Sequence, residues 1–348
     1  MTEIQHERRP GEWMRRSILN NRKTEIKCIK KKNCVTISRM DAFLAPLSLI
    51  FSHSATALLL QIMNRLAQKS IHSGFTFVIK RPLNMTTAEE ILDELQALAD
   101  EKQRAILSRF FKTGKGEYGE GDCFLGLKVP QTRSIVKAAR RDVPEIEIEK
   151  LLHSPWHEAR LCGLLLLVEE MKLSIPRKKE APTTHAEKRL AITEFFLKHA
   201  GRANNWDLVD LSCEYILGTW LLYPLPDGSM PSREILDRLA ESENLWEQRI
   251  AIVSTFTLIR AGEFDDTLRI SKKLLSHPHD LIHKATGWML REVGKRDTDL
   301  LRDFLEANHG KMARTALRYA IEKLPEDERR YWLTRRPTSM KSISGIAE

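Results

Sequence analysis

The chain has 348 residues, 56 Lys and Arg against 47 Asp and Glu, and a formal charge of +9; it is long enough to bury a large core as two domains or one repeat array. Residues 1–84 hold 15 basic against 5 acidic side chains, which leaves 41 against 42 for the rest, so net charge gives the larger part no general attraction for a polyanion. Five widely spaced cysteines form no CxxC pair, which argues against a disulfide scaffold or a thiolate zinc site and makes a reducing, intracellular setting the default.

Residues 1–40 are polar and basic, with a Lys cluster between Cys28 and Cys34. Such runs are more often solvated extensions than nuclear-localisation or nucleic-acid tails. Residues 42–63 are mostly apolar but are broken by Pro46, Gln61 and Ser52-His53-Ser54. The stretch lies too far inside for a secretory signal, and its uninterrupted apolar part is at the short end of the roughly 20 residues a membrane span needs. Patterned sequence begins at Met85. We therefore take residues 1–84 as a poorly structured extension outside the native protein, residues 85–335 as a helical-repeat domain, and residues 336–348 as a flexible tail.

Thr87-Ala88-Glu89-Glu90 has the form of a capping box, and Ile91, Leu92, Leu95, Leu98 and Ile106 continue one amphipathic helix toward Phe111. Residues 113–126 form a glycine-rich loop without the Gly-Lys-Ser/Thr ending of a phosphate-binding P-loop. Pro130 opens a helix with Arg133, Lys137, Arg140 and Arg141 on one face. Beyond it the pattern is helix, short connection, helix. Apolar-periodic stretches fall near 145–152, 156–171, 187–200, 206–222, 232–241, 245–260, 264–275, 279–294, 298–306, 311–323 and 326–333. Residues 174–185 and 223–232 interrupt the series, the first as an exposed insertion.

In the stretch from 206, Asn205 is placed to cap the helix and Asp207 to sit in its first turn. The inward stripe is Trp206, Val209, Asp210, Cys213 and Leu217, so Asp210 occupies a slot that the pattern reserves for an apolar residue. Two readings are open for this carboxylate. It is satisfied by a helix end or an Arg, or it faces a cleft and is available for chemistry. Trp206 and Arg249 are 43 positions apart and Arg249 and Trp288 are 39 apart, close to the period of about 40–47 residues in helical-repeat arrays. These residues can therefore share one surface.

Lys284, Trp288, Arg291 and Lys295 lie on one face of the helix from His279, and Lys311, Arg314 and Arg318 make another basic face. Cations on one side of several helices suit an extended polyanion. His277, His279 and His283 lack an acidic or Cys partner at ligand spacing, and His153 and His157 read as ordinary surface residues, so no metal is expected. Trp156, Trp220 and Trp246 read as packing residues.

Several motifs together resemble the AlkD-like DNA alkylation repair proteins. They are Tyr118-Gly119-Glu120-Gly121-Asp122-Cys123-Phe124-Leu125-Gly126 with Val129-Pro130, Asn205-Trp206-Asp207-Leu208-Val209-Asp210, Leu245-Trp246-Glu247-Gln248-Arg249, and Lys284-Ala285-Thr286-Gly287-Trp288-Met289-Leu290-Arg291-Glu292. The resemblance covers residues 85–335. It implies an all-α fold, an α-solenoid of antiparallel HEAT-like repeats with a concave, partly basic DNA-binding face. It also implies an alkylpurine DNA glycosylase that needs no cofactor or metal.

By the same resemblance Asp210 is the catalytic carboxylate, Trp206 and Trp288 are aromatic walls beside the lesion, and Arg249 is the site arginine near the DNA backbone. Arg133, Lys284, Arg291, Lys295, Arg314 and Arg318 are the candidate DNA contacts; where some relatives carry a DNA-facing lysine, this chain has Thr257. The expected partner is double-stranded alkylated DNA, met by a monomer without a membrane anchor, in the cytoplasm or on a prokaryotic nucleoid. The rival function is a catalytically silent repeat scaffold that binds nucleic acid or protein.

Overall fold

The computed structural model describes residues 86–139 and 143–335, together with the backbone of three strands nearer the N-terminus. Two compact units are present, Met1–Met85 and Thr86–Glu348. In the first, β1 (Ile26–Lys30) pairs antiparallel with β2 (Asn33–Ile37) and β3 (Phe75–Ile79) in the order β2-β1-β3, with Ile26 opposite both Ile37 and Ile79. The expectations for the apolar run at 42–63, for Arg140 and Arg141, and for the tail at 336–348 fall outside the described residues.

Among its described residues the second unit is all-helical, with one isolated bridge between Cys123 and Trp156. Helix α1 (Ala88–Ala97) starts at the predicted capping box: Thr87 Oγ1 accepts from the Glu90 amide at 3.2 Å, and Glu90 Oε2 accepts from the Thr87 amide at 2.8 Å. The single helix expected to reach Phe111 is instead two. Asp100 accepts from the amides of Lys102 and Gln103 and so starts a new helix, α2 (Glu101–Phe110). In the loop that follows, Gly126 has φ +98°, and a Cβ there would run into the Asp100 carbonyl oxygen. The amides of Leu125, Gly126 and Leu127 all donate to the buried carboxylate of Glu158, at 2.9, 2.9 and 3.0 Å.

Helices α3 (Val129–Ala139) and α4 (Glu145–Leu152) lead to α5 (His157–Ser174), which is buried continuously from His157 to Val168. Its Leu-rich centre is apolar all round, as a core helix must be. The insertion that follows is mostly exposed, as expected, and is anchored by one buried side chain. Arg189 donates to the carbonyls of Ser174, Thr184 and Pro182 at 2.7, 2.6 and 2.8 Å. Its guanidinium also lies over the Tyr223 ring at 5.0 Å.

Arg189 belongs to α6 (Ala186–Lys198), and the 3₁₀ turn Ala200–Arg202 then leads into α7 (Trp206–Asp210). Asn205 caps α7 as predicted, its side chain accepting from the Trp206 amide at 2.9 Å. Here too a helix read as continuous is interrupted. Ser212 Oγ donates to the Leu208 carbonyl at 2.6 Å, and the chain resumes as a π-turn, Glu214–Gly218.

The remaining helices are α8 (Glu234–Ala240), α9 (Leu245–Val253), α10 (Thr255–Arg260), α11 (Asp265–Lys273), α12 (Asp280–Gly294), α13 (Thr298–Asn308), α14 (Arg314–Ala320) and α15 (Glu326–Thr334). They fall on the predicted stretches. Helix α9 packs on α7, α8 and α12, and α12 packs in turn on α13 and α14, so successive helices bury their apolar faces on one another as in an α-solenoid. One apolar core extends from Ala88 to Val293 and a second from Leu275 to Trp332. Gly287 sets the distance between α12 and α14, since a Cβ there would strike the Ala316 carbonyl and the Tyr319 side chain.

Candidate active site

Asp210 ends the short helix α7, and Arg249 points at it from the middle of α9. The contact is bidentate, with Arg249 Nε 2.9 Å from Oδ1 and Nη2 2.7 Å from Oδ2. The remaining Nη1 donates to the Leu281 carbonyl in the first turn of α12 at 2.6 Å. One buried guanidinium therefore ties α7, α9 and α12 together. Asp210 thus has its Arg, and 16% of its side chain stays exposed in the wall of a cavity of about 480 Å³. Burial pushes the Asp210 carboxyl above its ordinary range, against the opposing charge and hydrogen bonds of Arg249.

The cavity is mostly apolar. Phe110, Phe111, Phe124, Pro130 and Trp206 line it, and Lys128 stands among them. The Trp206 ring stacks on Phe111 at 5.2 Å and 23°, and Phe110 meets its edge at 5.9 Å. Phe110 is 61% exposed at the rim of this cavity.

Tyr118 of the glycine-rich loop joins the two sides. Its hydroxyl is within hydrogen-bonding reach of Trp206 and feels the Lys284 charge, although desolvation outweighs both and raises its pKa. Its ring meets Trp246 at 6.2 Å and His279 at 6.5 Å. No role for Tyr118 follows from the sequence motifs; an aromatic in a glycine-rich loop is the signal that points to it. Trp288 lies one turn beyond Lys284 on α12, and its ring contact is with Phe256 at 5.6 Å. The structure thus brings Trp206, Asp210 and Arg249 into one cluster, and Trp288 is connected to it through α12.

Beside α7, with His157 and Asp207 in the lining of the same cavity, is a buried polar network that the sequence did not reveal. His157 Nδ1 lies 2.8 Å from Asp122 Oδ2, and His157 Nε2 lies 2.9 Å from Asp207 Oδ2. Arg160 donates to Asp122 Oδ1 at 2.6 Å, and Asn205 Nδ2 donates to Asp122 Oδ2 at 3.2 Å. Burial works against a charged His157, but the two carboxylates prevail and its pKa is pushed up to about 9. Asp122 is held below its ordinary value because His157 and Arg160 outweigh its own desolvation. The surface reading of His157 is corrected here. His153 is exposed, whereas His157 opens the core helix α5 and points between two aspartates.

The candidate DNA contacts are spread along the unit, and several already hold a partner. Lys284 pairs with Asp280 at 2.8 Å, Lys295 with Glu292 at 2.6 Å, and Arg291 with Glu322. Arg314 donates to the Leu333 carbonyl at 2.8 Å, while Arg133 and Arg318 are exposed. Thr257 Oγ1 donates to the Glu214 carbonyl at 2.6 Å and is engaged in the π-turn. Among the described residues no helix is long and apolar enough to cross a membrane.

None of the curated proteins matches the chain. A solved structure of a predicted DNA alkylation repair enzyme from Enterococcus faecalis is similar at 17% identity and a TM-score of 0.48, over 66% of this chain and 97% of that one. The family model described as DNA alkylation repair enzyme matches residues 91–324, which include Tyr118, Trp206, Asp210, Arg249 and Trp288. With that match over most of the helical unit, the chain belongs to the DNA alkylation repair enzyme family and has a role in DNA repair.

Proposed function

We propose that the chain is a DNA glycosylase that hydrolyses the N-glycosidic bond of cationic alkylated purines, of the 3-methyladenine and 7-methylguanine type, in double-stranded DNA. The observation that carries this reading is Asp210. It is a carboxylate fixed by Arg249 at the wall of an aromatic cavity, with part of its surface open to that cavity. As the bond from sugar to base lengthens, positive charge develops on the deoxyribose. A preoriented carboxylate stabilises that charge without reorganising and can position water. Arg249 occupies one lone-pair direction on each oxygen, and the others remain for water or the sugar.

The leaving base is already cationic, so no strong acid is required. Indole faces such as that of Trp206 attract it, at about 0.5–2 kcal/mol per contact. Arg249 acts in this scheme as a positioning residue, because it is buried and its bonds are spent inside the protein. Arg133, Lys284, Arg291, Lys295, Arg314 and Arg318 supply the DNA contacts along a concave, partly basic face of a monomer built from antiparallel repeats. Four of them would exchange an internal partner for phosphate.

The test is release of 7-methylguanine and 3-methyladenine from methylated duplex DNA by wild type and by Asp210→Asn. The variant should release base about 10²–10³-fold more slowly while melting as a folded protein. Equal release by the two refutes the role of Asp210. No release by wild type from either lesion favours the catalytically silent scaffold.

A further inference from the structure

The C-terminal ends of α4 and α6 meet at a cluster separate from the cavity. Glu149 lies in the last turn of α4, His153 is the residue that caps that helix, and His199 caps α6. His199 Nε2 is 3.4 Å from Glu149 Oε1, and only 6% of the His199 side chain is exposed. That nitrogen has no hydrogen-bond partner. The rings of His153 and His199 stand at 83° with centroids 5.5 Å apart. One ligand atom from each of the three residues lies within 4.8 Å of the other two.

Ligand atoms at about 2.0–2.1 Å from a tetrahedral ion stand about 3.4 Å apart. Glu149 and His199 already have that spacing, and the exposed His153 can rotate to complete it. Two helix C-termini converge on the place, and their carbonyl ends favour a cation. Lys198 now supplies one, with Nζ 3.5 Å from Glu149 Oε1, but its side chain is 68% exposed and free to leave. Two imidazoles and one carboxylate form a borderline N and O donor set suited to zinc. The group is hidden in the sequence because the third ligand comes from another helix, 46 residues after His153.

We propose that Glu149, His153 and His199 bind a zinc ion, with water completing the coordination. The ion would fasten a joint that already carries both sides of the cavity. Arg202, just past His199, donates to the Leu152 and Ser154 carbonyls at 2.8 and 3.2 Å. From this joint one chain segment runs on to His157 and the other to Trp206. The role is structural, and the bound water is not assigned to base release.

The experiment uses the full chain stripped with a chelator and titrated with zinc chloride, followed by calorimetry and by thermal melting. One equivalent should bind, and at a hundredfold excess over Kd the Tm should rise by about 5–10 °C. Cobalt chloride should give the intense visible spectrum of a low-coordinate N and O site. His153→Ala and Glu149→Gln alter side chains outside the apolar core, and each should weaken zinc binding about tenfold or more. Absence of stoichiometric binding by wild type overturns the proposal. So does equal binding by the variants, which would put the ion elsewhere, as at His277, His279 and His283.

Discussion

Replacing His157 with Gln tests the polar network that supports α7. Both His157 ring nitrogens face carboxylate oxygens, at 2.8 and 2.9 Å, and only an imidazolium donates at both positions. The folded pKa is about 9 against an ordinary value of 6.5. Because the folded value is the higher one, the stabilisation is complete below about pH 6.5 and is lost as pH rises through about 9. In that window the folded state holds one proton more than the unfolded chain, so stability falls by about 1.4 kcal/mol per pH unit. The whole span is worth about 3 kcal/mol. For a unit of this size that is about 6–12 °C in Tm. Urea and thermal melts of wild type and His157→Gln across the window provide the assay. The wild-type advantage should be largest at the acidic end and vanish at the alkaline end, and a difference that stays constant with pH refutes the imidazolium bridge. Base release should decline over the same alkaline range, since a neutral imidazole donates to one carboxylate only and the bridge between Asp122 and Asp207 is broken.

Arg249→Ala removes the clamp on Asp210 and three hydrogen bonds. Breaking a buried pair costs about 3–5 kcal/mol, and the partial exposure of Asp210 puts this one near about 3 kcal/mol, or about 6–12 °C in Tm. Without the Arg249 charge the raised Asp210 pKa should climb further, moving the acidic limb of the base-release profile to higher pH. A variant with the wild-type melt and profile contradicts the clamp. Gly287→Ala forces α12 and α14 apart and should cost about 1–3 kcal/mol, measured by urea denaturation, and a neutral outcome means the two helices can part without loss.

The helical pattern was readable wherever one face alone is buried. Thr87 and Asn205 announced their helix starts, and the stretches from 145 to 333 map onto observed helices, because a 3.6-residue period survives any arrangement of neighbours. The breaks were hidden for the opposite reason. Asp100 and Ser212 sit inside stretches whose apolar period continues on both sides, and their competition for backbone groups depends on local geometry that periodicity does not register. Asp210 was conspicuous because a charge stood in an apolar slot, and Arg249 was found by its place one repeat later. Asp122, His157 and Asp207 left no such trace. They are separated by 35 and 50 residues and meet only when α5 is inserted between the glycine-rich loop and α7. The repeat spacing that grouped Trp288 with Trp206 located its helix but not the contact of its ring with Phe256.

Leu125, Gly126 and Leu127 belong to no helix or strand, yet their three amides end on the single buried carboxylate of Glu158. Deuterium uptake at these positions is therefore governed by the opening of α5, since the amides are released only when Glu158 moves. Their exchange times should therefore follow the first turn of α5, and the segment beside the cavity is tied to that helix despite its irregular backbone.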